Sequence, residues 1–135
     1  MFPADFAAQA PVIQLDEANA SPKYQQIVDQ VRALIAAGAL RAGAPLPSVR
    51  QLASDLGINV NTVLAAYRVL EAEEMVLVRR GARAIIHPRL ARPLSPPPDA
   101  IGRIRTALDR TRTDALLRGI PLERLRALAN EVFAG

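Results

Sequence analysis

A chain of 135 residues with 17 basic and 13 acidic side chains has room for one domain, or for a small domain with an appendage. Its net charge of +4 favours a polyanionic partner or a basic surface. The absence of cysteine excludes disulfides and thiolate metal sites, and one histidine cannot build a metal cluster. No apolar run approaches the roughly 18 residues that span a bilayer, and the N-terminus lacks signal-peptide features, so a cytoplasmic protein without a membrane partner is expected.

The chain opens with a leader, residues 1 to 20, in which a short strand is expected over residues 12 to 15. Ser21 followed by Pro22 signals the start of a helix, since proline suits the first helical position. Apolar residues then recur at helical spacing until Gly38, which is expected to end the helix. The sequence thus predicts one amphipathic helix behind the leader.

Residues 46 to 71 combine two short helices with a tight glycine-containing turn. Ser48 is expected to cap the first helix, and a glutamine three positions later fits a capping box. Gly57 suits the left-handed conformation at the end of that helix. Either Asn59 or Asn61 starts the second helix, whose first turn carries small hydrogen-bonding side chains. This pattern is typical of a helix-turn-helix, in which the second helix is the recognition helix.

Proline and glycine in residues 40 to 47 favour an extended loop before the helix-turn-helix. After it, residues 75 to 78 and 84 to 87 have the composition of two β-strands joined by a basic turn. Three helices followed by a hairpin predict the winged form of the motif. The expected fold class is therefore mainly α with a small β-hairpin: a winged helix-turn-helix domain over residues 21 to 88, followed by a two-helix tail.

Residues 89 to 98 are rich in proline and lack helical periodicity, which indicates a stiff linker. Residues 99 to 135 then have the pattern of two amphipathic helices separated by Gly119. Two such short helices cannot bury their apolar faces against each other alone, so the tail is expected to pair with a second copy of the chain. The residues expected in this dimer interface are Ile101, Ile104, Leu108, Leu122, Leu125 and Val132.

Residues 21 to 87 resemble the DNA-binding half of the GntR family of bacterial transcription regulators. The motifs that carry the resemblance are Tyr24-Gln25-Gln26-Ile27, Gly38-Ala39-Leu40, Leu46-Pro47-Ser48-Val49-Arg50, Leu56-Gly57, Asn61-Thr62-Val63, Ala66-Tyr67 and Leu70-Glu71. The short tail and the Asn-x-Asn-Thr-Val turn are similar to the YtrA subfamily. The resemblance implies a homodimeric regulator, most simply a repressor, that binds a pseudo-palindromic operator in double-stranded DNA.

The expected DNA contacts lie at the start of the helix before the recognition helix, on the recognition helix itself, and on the hairpin. Asparagine can bind adenine through two hydrogen bonds, and arginine can bind phosphate or guanine. One of the two asparagines before Thr62 is expected to cap the recognition helix and the other to contact DNA. The residues assigned to DNA are Ser48, Arg50, Asn59, Asn61, Thr62, Arg68, Arg79, Arg80, Gly81 and Arg83.

Three positions differ from the pattern that the resemblance implies. Many family members carry arginine at the positions of Val60 and Leu64, where base edges are read. Both residues are apolar here, which weakens direct guanine readout from the recognition helix. Arg83 occupies the position of the second glycine in the usual ending of the wing. The operator of a relative therefore cannot be transferred to this chain.

The sequence leaves two other functions open. A small-molecule effector could bind between the tail helices or beside the wing, which would make the chain a ligand-gated sensor. Alternatively, the helix-turn-helix could dock onto a partner protein. An enzyme is not expected, since the sequence shows no nucleophile–base arrangement, phosphate-binding glycine loop or metal set, and no cofactor is expected. Tyr67 and His87 are expected to be structural.

Overall fold

The structure is a computed structural model that describes residues 13–79, 83–92 and 94–134. Its elements are α1 (Lys23–Ala36), α2 (Val49–Leu56), α3 (Val60–Ala72), β1 (Val76–Leu77), β2 (Ile85–Ile86), a 3-10 helix (Pro88–Ala91), α4 (Ala100–Leu117) and α5 (Leu122–Ala134). The mainly α fold with a small hairpin that the sequence predicts is confirmed. The chain divides into two compact units, the first ending at residue 93 and the second beginning at residue 94.

The segment before α1 is held by glutamine side chains and not by strand pairing. The strand expected over residues 12 to 15 is wrong for residues 13 to 15, because the backbone N–H of Gln14 donates to the side-chain oxygen of Gln30 at 2.9 Å. Residue 12 lies outside the described residues. The buried Gln26 accepts from the backbone N–H of Asp16 at 2.9 Å and donates to the backbone oxygens of Asp16 and Ser21.

The start of α1 differs by one residue from the prediction. Pro22 occupies the N-cap position, and no side chain caps the helix. The carbonyl of Ser21 accepts a bond from the Gln26 side chain, so this serine contributes its backbone to the segment before the helix. The helix is fixed by its buried face, which consists of Gln26, Ile27, Val28 and Val31.

The helix-turn-helix follows the predicted local geometry. The Ser48 hydroxyl accepts from the backbone N–H of Gln51 at 3.0 Å and caps α2. The second half of a capping box does not form, because the Gln51 side-chain amide donates to Asp55 at 2.7 Å. Gly57 ends α2 with φ of 65°, a conformation that glycine adopts without steric cost. The caps therefore fix where α2 begins and ends.

The core of the first unit lies where α1, α2 and α3 meet the hairpin. Its members are aliphatic apart from one tyrosine, so close packing of small and branched side chains fills the interior. The largest fully buried side chains are those of Ile27, Leu70, Ile86, Val28, Val31, Val63 and Val76. Three of them come from α1, two from α3 and two from the hairpin strands, and this packing sets the orientation of α3.

The hairpin is shorter than predicted but is extended by the loop before α2. Val76 pairs with Ile86 in antiparallel register, as does Leu77 with Ile85. Residues 43 to 46 lie along the other edge of β2, with hydrogen bonds of 2.8 Å to the backbone of residues 84 and 86. The extended loop expected over residues 40 to 47 therefore lies against the wing and anchors it beside α2.

Residues 88 to 91 form a 3-10 helix where an irregular linker was expected from residue 89. The Arg89 guanidinium donates to the backbone oxygens of Glu74 at 2.7 Å and of Glu73 at 3.3 Å, at the C-terminal end of α3. Glu74 has φ of 56°, a left-handed conformation uncommon outside glycine. His87 accepts from the backbone N–H of Arg89 at 3.1 Å, which gives it the structural role that was expected.

The second unit consists of α4 and α5, joined at Gly119, which has φ of 78°. Asp99 precedes α4 without a capping bond from its side chain, which lies 3.9 Å from Arg103 instead. Ala115 is the one buried residue in these two helices, within the described residues. Of the six residues assigned to a dimer interface, Leu125 is half-buried and five are exposed: Ile101, Ile104, Leu108, Leu122 and Val132.

Candidate nucleic-acid interface

The recognition helix α3 has one face in the core and one face away from it. Its buried residues are Val63, Ala66, Tyr67 and Leu70. With 3.6 residues per turn, Asn61, Ala65 and Arg68 lie on the opposite face. Asn61 and Arg68 are exposed. The packing of the domain therefore presents a polar and cationic side of α3 to the surroundings.

The two asparagines at the start of α3 have different positions in the helix. Asn59 is the N-cap, and its side-chain oxygen accepts from the backbone N–H of Asn61 at 2.7 Å. The expectation that one asparagine caps the helix is confirmed, and Asn59 is that residue. Asn61, the second residue of α3, is exposed, while Thr62 is half-buried. Because the first backbone N–H groups of a helix lack helical partners, this end of α3 also favours negative charge.

A groove of about 510 Å³ lies between α3 and the hairpin. It brings together three of the residues assigned to DNA: Ser48 at the start of α2, Arg68 on α3, and Arg83 after the tip of the hairpin. Arg50, Asn59, Asn61, Thr62 and Arg79 are described by the structure but do not line this groove. Arg80 and Gly81 lie outside the described residues.

Seven further residues line this groove that were not assigned to DNA from the sequence. Among them are Leu64 and Glu71 on α3 and Val78 after β1. Leu64, Arg68 and Glu71 follow one another at spacings of four and three residues, so they share one side of α3. That spacing is visible in the sequence and would have identified the side of α3 that faces the hairpin.

Four exposed arginines that were assigned to DNA come from three neighbouring elements of the fold. Arg50 lies in the first turn of α2, Arg68 on α3, and Arg79 follows β1. Arg83 is exposed on the second arm of the hairpin. Cations placed in this way around a recognition helix suit the phosphates on either side of a DNA groove.

Tyr67 is a core residue, as expected, and it joins α3 to the segment that leads into α2. It is almost fully buried, and its hydroxyl donates to the backbone oxygen of Pro47 at 2.7 Å. Burial raises the pKa of the Tyr67 hydroxyl above its ordinary value of 10.0. This hydrogen bond holds the start of α2 against the recognition helix.

The raised pKa of Tyr67 predicts a loss of stability in alkali. Above pH 10 the tyrosine ionises in the unfolded chain while the folded chain keeps its proton, so the free energy of unfolding falls by up to about 1.4 kcal/mol per pH unit. We expect Tyr67→Phe to remove this part of the pH dependence. Urea unfolding at neutral pH and above pH 10 measures the difference, and an equal loss in both proteins would contradict the prediction.

The described parts of the chain show neither a metal site nor a helix that spans a membrane. Within residues 13–79, 83–92 and 94–134, no group of three or more His, Cys, Asp or Glu residues is placed to hold a metal ion. Over the same ranges, no helix has the length and apolar character needed to cross a membrane.

Three helices packed on a hairpin, with a capped recognition helix bordered by exposed arginines, define a winged helix-turn-helix protein. Residues 23–86 match the family model described as bacterial regulatory proteins, gntR family. The chain belongs to the GntR family and is a transcription regulator, not an enzyme.

The relatives extend the likeness beyond the winged domain. The chain is 33% identical over 123 residues to the transcriptional repressor YtrA of Bacillus subtilis, which covers 91% of this chain and 93% of that protein. It is similar in structure to a transcriptional antiterminator from Listeria monocytogenes, with a TM-score of 0.77 and 28% identity. That alignment covers 91% of this chain and 90% of the other chain. YtrA from Sulfolobus acidocaldarius, a GntR-family transcription factor, aligns with a TM-score of 0.60 and 34% identity. The alignment covers 76% of this chain and 99% of that protein's chain.

Proposed function

We propose that this chain represses transcription by binding, as a homodimer, a pseudo-palindromic operator in double-stranded DNA. In each copy α3 lies in the major groove with its N-terminal end towards the base edges, and the hairpin lies along the phosphates or the adjacent minor groove. One observation carries the proposal: α3 is fixed by its buried face, while its other face and the elements beside it expose Asn61, Arg50, Arg68 and Arg79.

The side chains divide between reading bases and binding phosphates. Asn61 is exposed and does not cap α3, so its amide suits a base edge such as adenine. Asn59 has its oxygen engaged in the cap and offers its NH2 group. Thr62 and Ser48 suit phosphate, as do the arginines of α2, α3 and the hairpin. Phosphate contacts then supply most of the affinity, and base contacts set the register.

The dimer is supported by the tail. Ile101, Ile104, Leu108 and Val132 are exposed, which leaves the apolar stripes of α4 and α5 without cover in the described chain. A soluble protein rarely exposes such a continuous apolar surface unless it binds another surface. A second copy covers the stripe with an identical stripe and places two α3 helices on half-sites about one helical turn or more apart.

Repression is supported by the Bacillus subtilis relative, which is named a transcriptional repressor. The direct experiment is a footprint on the promoter of the gene that encodes this chain, followed by binding to the protected duplex over a range of salt. DNA binding through several phosphates weakens steeply with salt, whereas docking onto a partner protein through the same helices does not. If the footprint shows no protected DNA, the proposal is wrong.

Arg50→Ala is expected to weaken binding to that duplex by about 10- to 100-fold, because a charge-assisted bond to phosphate contributes about 1.5–3 kcal/mol. The variant should also reduce the slope of log K against log salt by about 0.9 for each lost contact. The stability of the fold should change little, since Arg50 is exposed. Fluorescence anisotropy at several salt concentrations measures both quantities.

Arg41→Ala is the matched control, because Arg41 is exposed in the loop before α2 and is not among the residues assigned to DNA. It removes the same charge and should change affinity much less. If Arg50→Ala binds as tightly as the wild type at moderate salt, the assignment of Arg50 to a phosphate is wrong.

A further inference from the structure

The recognition helix carries two apolar side chains outside the buried core at the end that we place against base edges, one exposed and one half-buried. Val60 is the first residue of α3, and 42% of it is exposed. Leu64 follows one turn later and lines the groove between α3 and the hairpin. Neither residue belongs to the buried core of the domain. Val60 is therefore open to a partner, and half-buried Leu64 keeps part of its surface open towards the groove.

The chemistry of the major groove indicates what such a pair can contact. Guanine, adenine and cytosine present hydrogen-bond donors and acceptors there, and thymine alone presents a methyl group. An apolar side chain pressed against a polar base edge desolvates it without replacing its hydrogen bonds, which is unfavourable. Against the thymine methyl, the same side chain buries apolar surface on both sides.

We propose that Val60 and Leu64 contact the 5-methyl groups of thymine, so that each half-site carries thymine opposite the first two turns of α3. This inference rests on the proposed function, since it requires α3 to lie in the major groove. It assigns to this helix a preference for A·T pairs at positions where arginine would select guanine.

The charges around Leu64 favour duplex DNA as the occupant of this surface over an apolar peptide or a second copy of the chain. Arg68 lies one turn after Leu64 on the same side of α3, and Arg83 borders the same groove from the hairpin. The acidic residue of the groove, Glu71, lies two turns beyond Leu64, away from the end of α3 that meets the bases. Apolar side chains bordered by arginines match methyl groups bordered by phosphates.

The test uses the full-length protein and a synthetic duplex. A binding site is first selected from a library of random duplexes at moderate salt. Each thymine of the selected site is then replaced singly by deoxyuridine, which removes the 5-methyl group and preserves base pairing. We expect the wild type to lose about fourfold in affinity for each methyl that is in contact, the equivalent of one buried carbon.

Variants then assign the methyl groups to side chains. Each variant, Val60→Ala or Leu64→Ala, should lose the preference for thymine over deoxyuridine at one position of the site. At the other positions it should keep the wild-type ratio of the two affinities. Leu94→Ala is the matched control, because Leu94 is exposed outside α3 and should leave every ratio unchanged. Circular dichroism verifies that the variants are folded.

The outcomes separate this inference from the proposed function. Selected sites without thymine in the half-sites, a wild type indifferent to deoxyuridine, or variants that keep every wild-type ratio would overturn the inference and leave DNA binding intact. If the wild type binds no duplex from the library, the proposed function and the inference are both wrong.

Discussion

Ile104→Glu is expected to turn the proposed dimer of twice 14.5 kDa into a monomer and to lower operator affinity by about 100-fold or more. Ile104 is 61% exposed on α4, in the apolar stripe assigned to the dimer interface. A carboxylate there has no counter-charge in the apolar stripe, so burying it between two copies is strongly unfavourable. Affinity falls because two linked half-site contacts become independent. Sedimentation equilibrium and anisotropy measure the mass and the affinity.

Thr106→Glu is the matched control for this substitution. Thr106 is exposed on the opposite side of α4, since two residues further along a helix correspond to about 200° of rotation. It introduces the same charge and should leave both the mass and the affinity unchanged. A wild type that is monomeric at micromolar concentration, or an Ile104→Glu protein that remains dimeric, would refute the assignment of this stripe.

Leu70→Ala is expected to reduce the free energy of unfolding of the winged domain by about 2–5 kcal/mol, because it leaves a cavity in a closely packed core. Leu70 is 0% exposed on α3, among core residues from α1 and the hairpin. Small domains have only about 5–15 kcal/mol in total, so the variant is expected to be partly unfolded near body temperature. Urea denaturation followed by circular dichroism measures the loss.

Leu94→Ala makes the same chemical change at a side chain that is 68% exposed, and it should alter stability by less than about 0.5 kcal/mol. If both substitutions lower the free energy of unfolding by the same amount, the contribution of Leu70 does not come from its burial. If Leu70→Ala costs less than 1 kcal/mol, the packing of α3 against the core would be wrong.

Local geometry was predictable from the sequence because it depends on residues close together in the chain. The capping of α2 by Ser48, the left-handed Gly57, and the start of α3 at an asparagine each involve partners within a few positions. Regular spacing of apolar residues likewise predicted the amphipathic helix behind the leader, which the structure has as α1. The order of three helices and a hairpin predicted the winged domain, and the resemblance to the GntR family implied the same fold.

Long-range contacts were not predictable in the same way. Gln26 binds the segment before α1, and the Tyr67 hydroxyl reaches Pro47 across twenty positions; nothing local in the sequence selects either partner. The groove beside α3 combines residues of three elements, so its composition depends on how the helices pack. The shift of the α1 cap and the 3-10 helix after the wing arise from such tertiary contacts.

The hydrogen bonds of Arg89 connect the end of α3 to the segment that follows the hairpin. Helix ends leave carbonyl groups without partners, and here two carbonyls at the turn after α3 are bound by a side chain that follows β2 in the chain. The turn that follows the recognition helix is therefore stabilised by a side chain that lies beyond the wing in the chain. Hydrogen exchange should show the amides of β1, β2 and the last turn of α3 opening together, as a single cooperative unit.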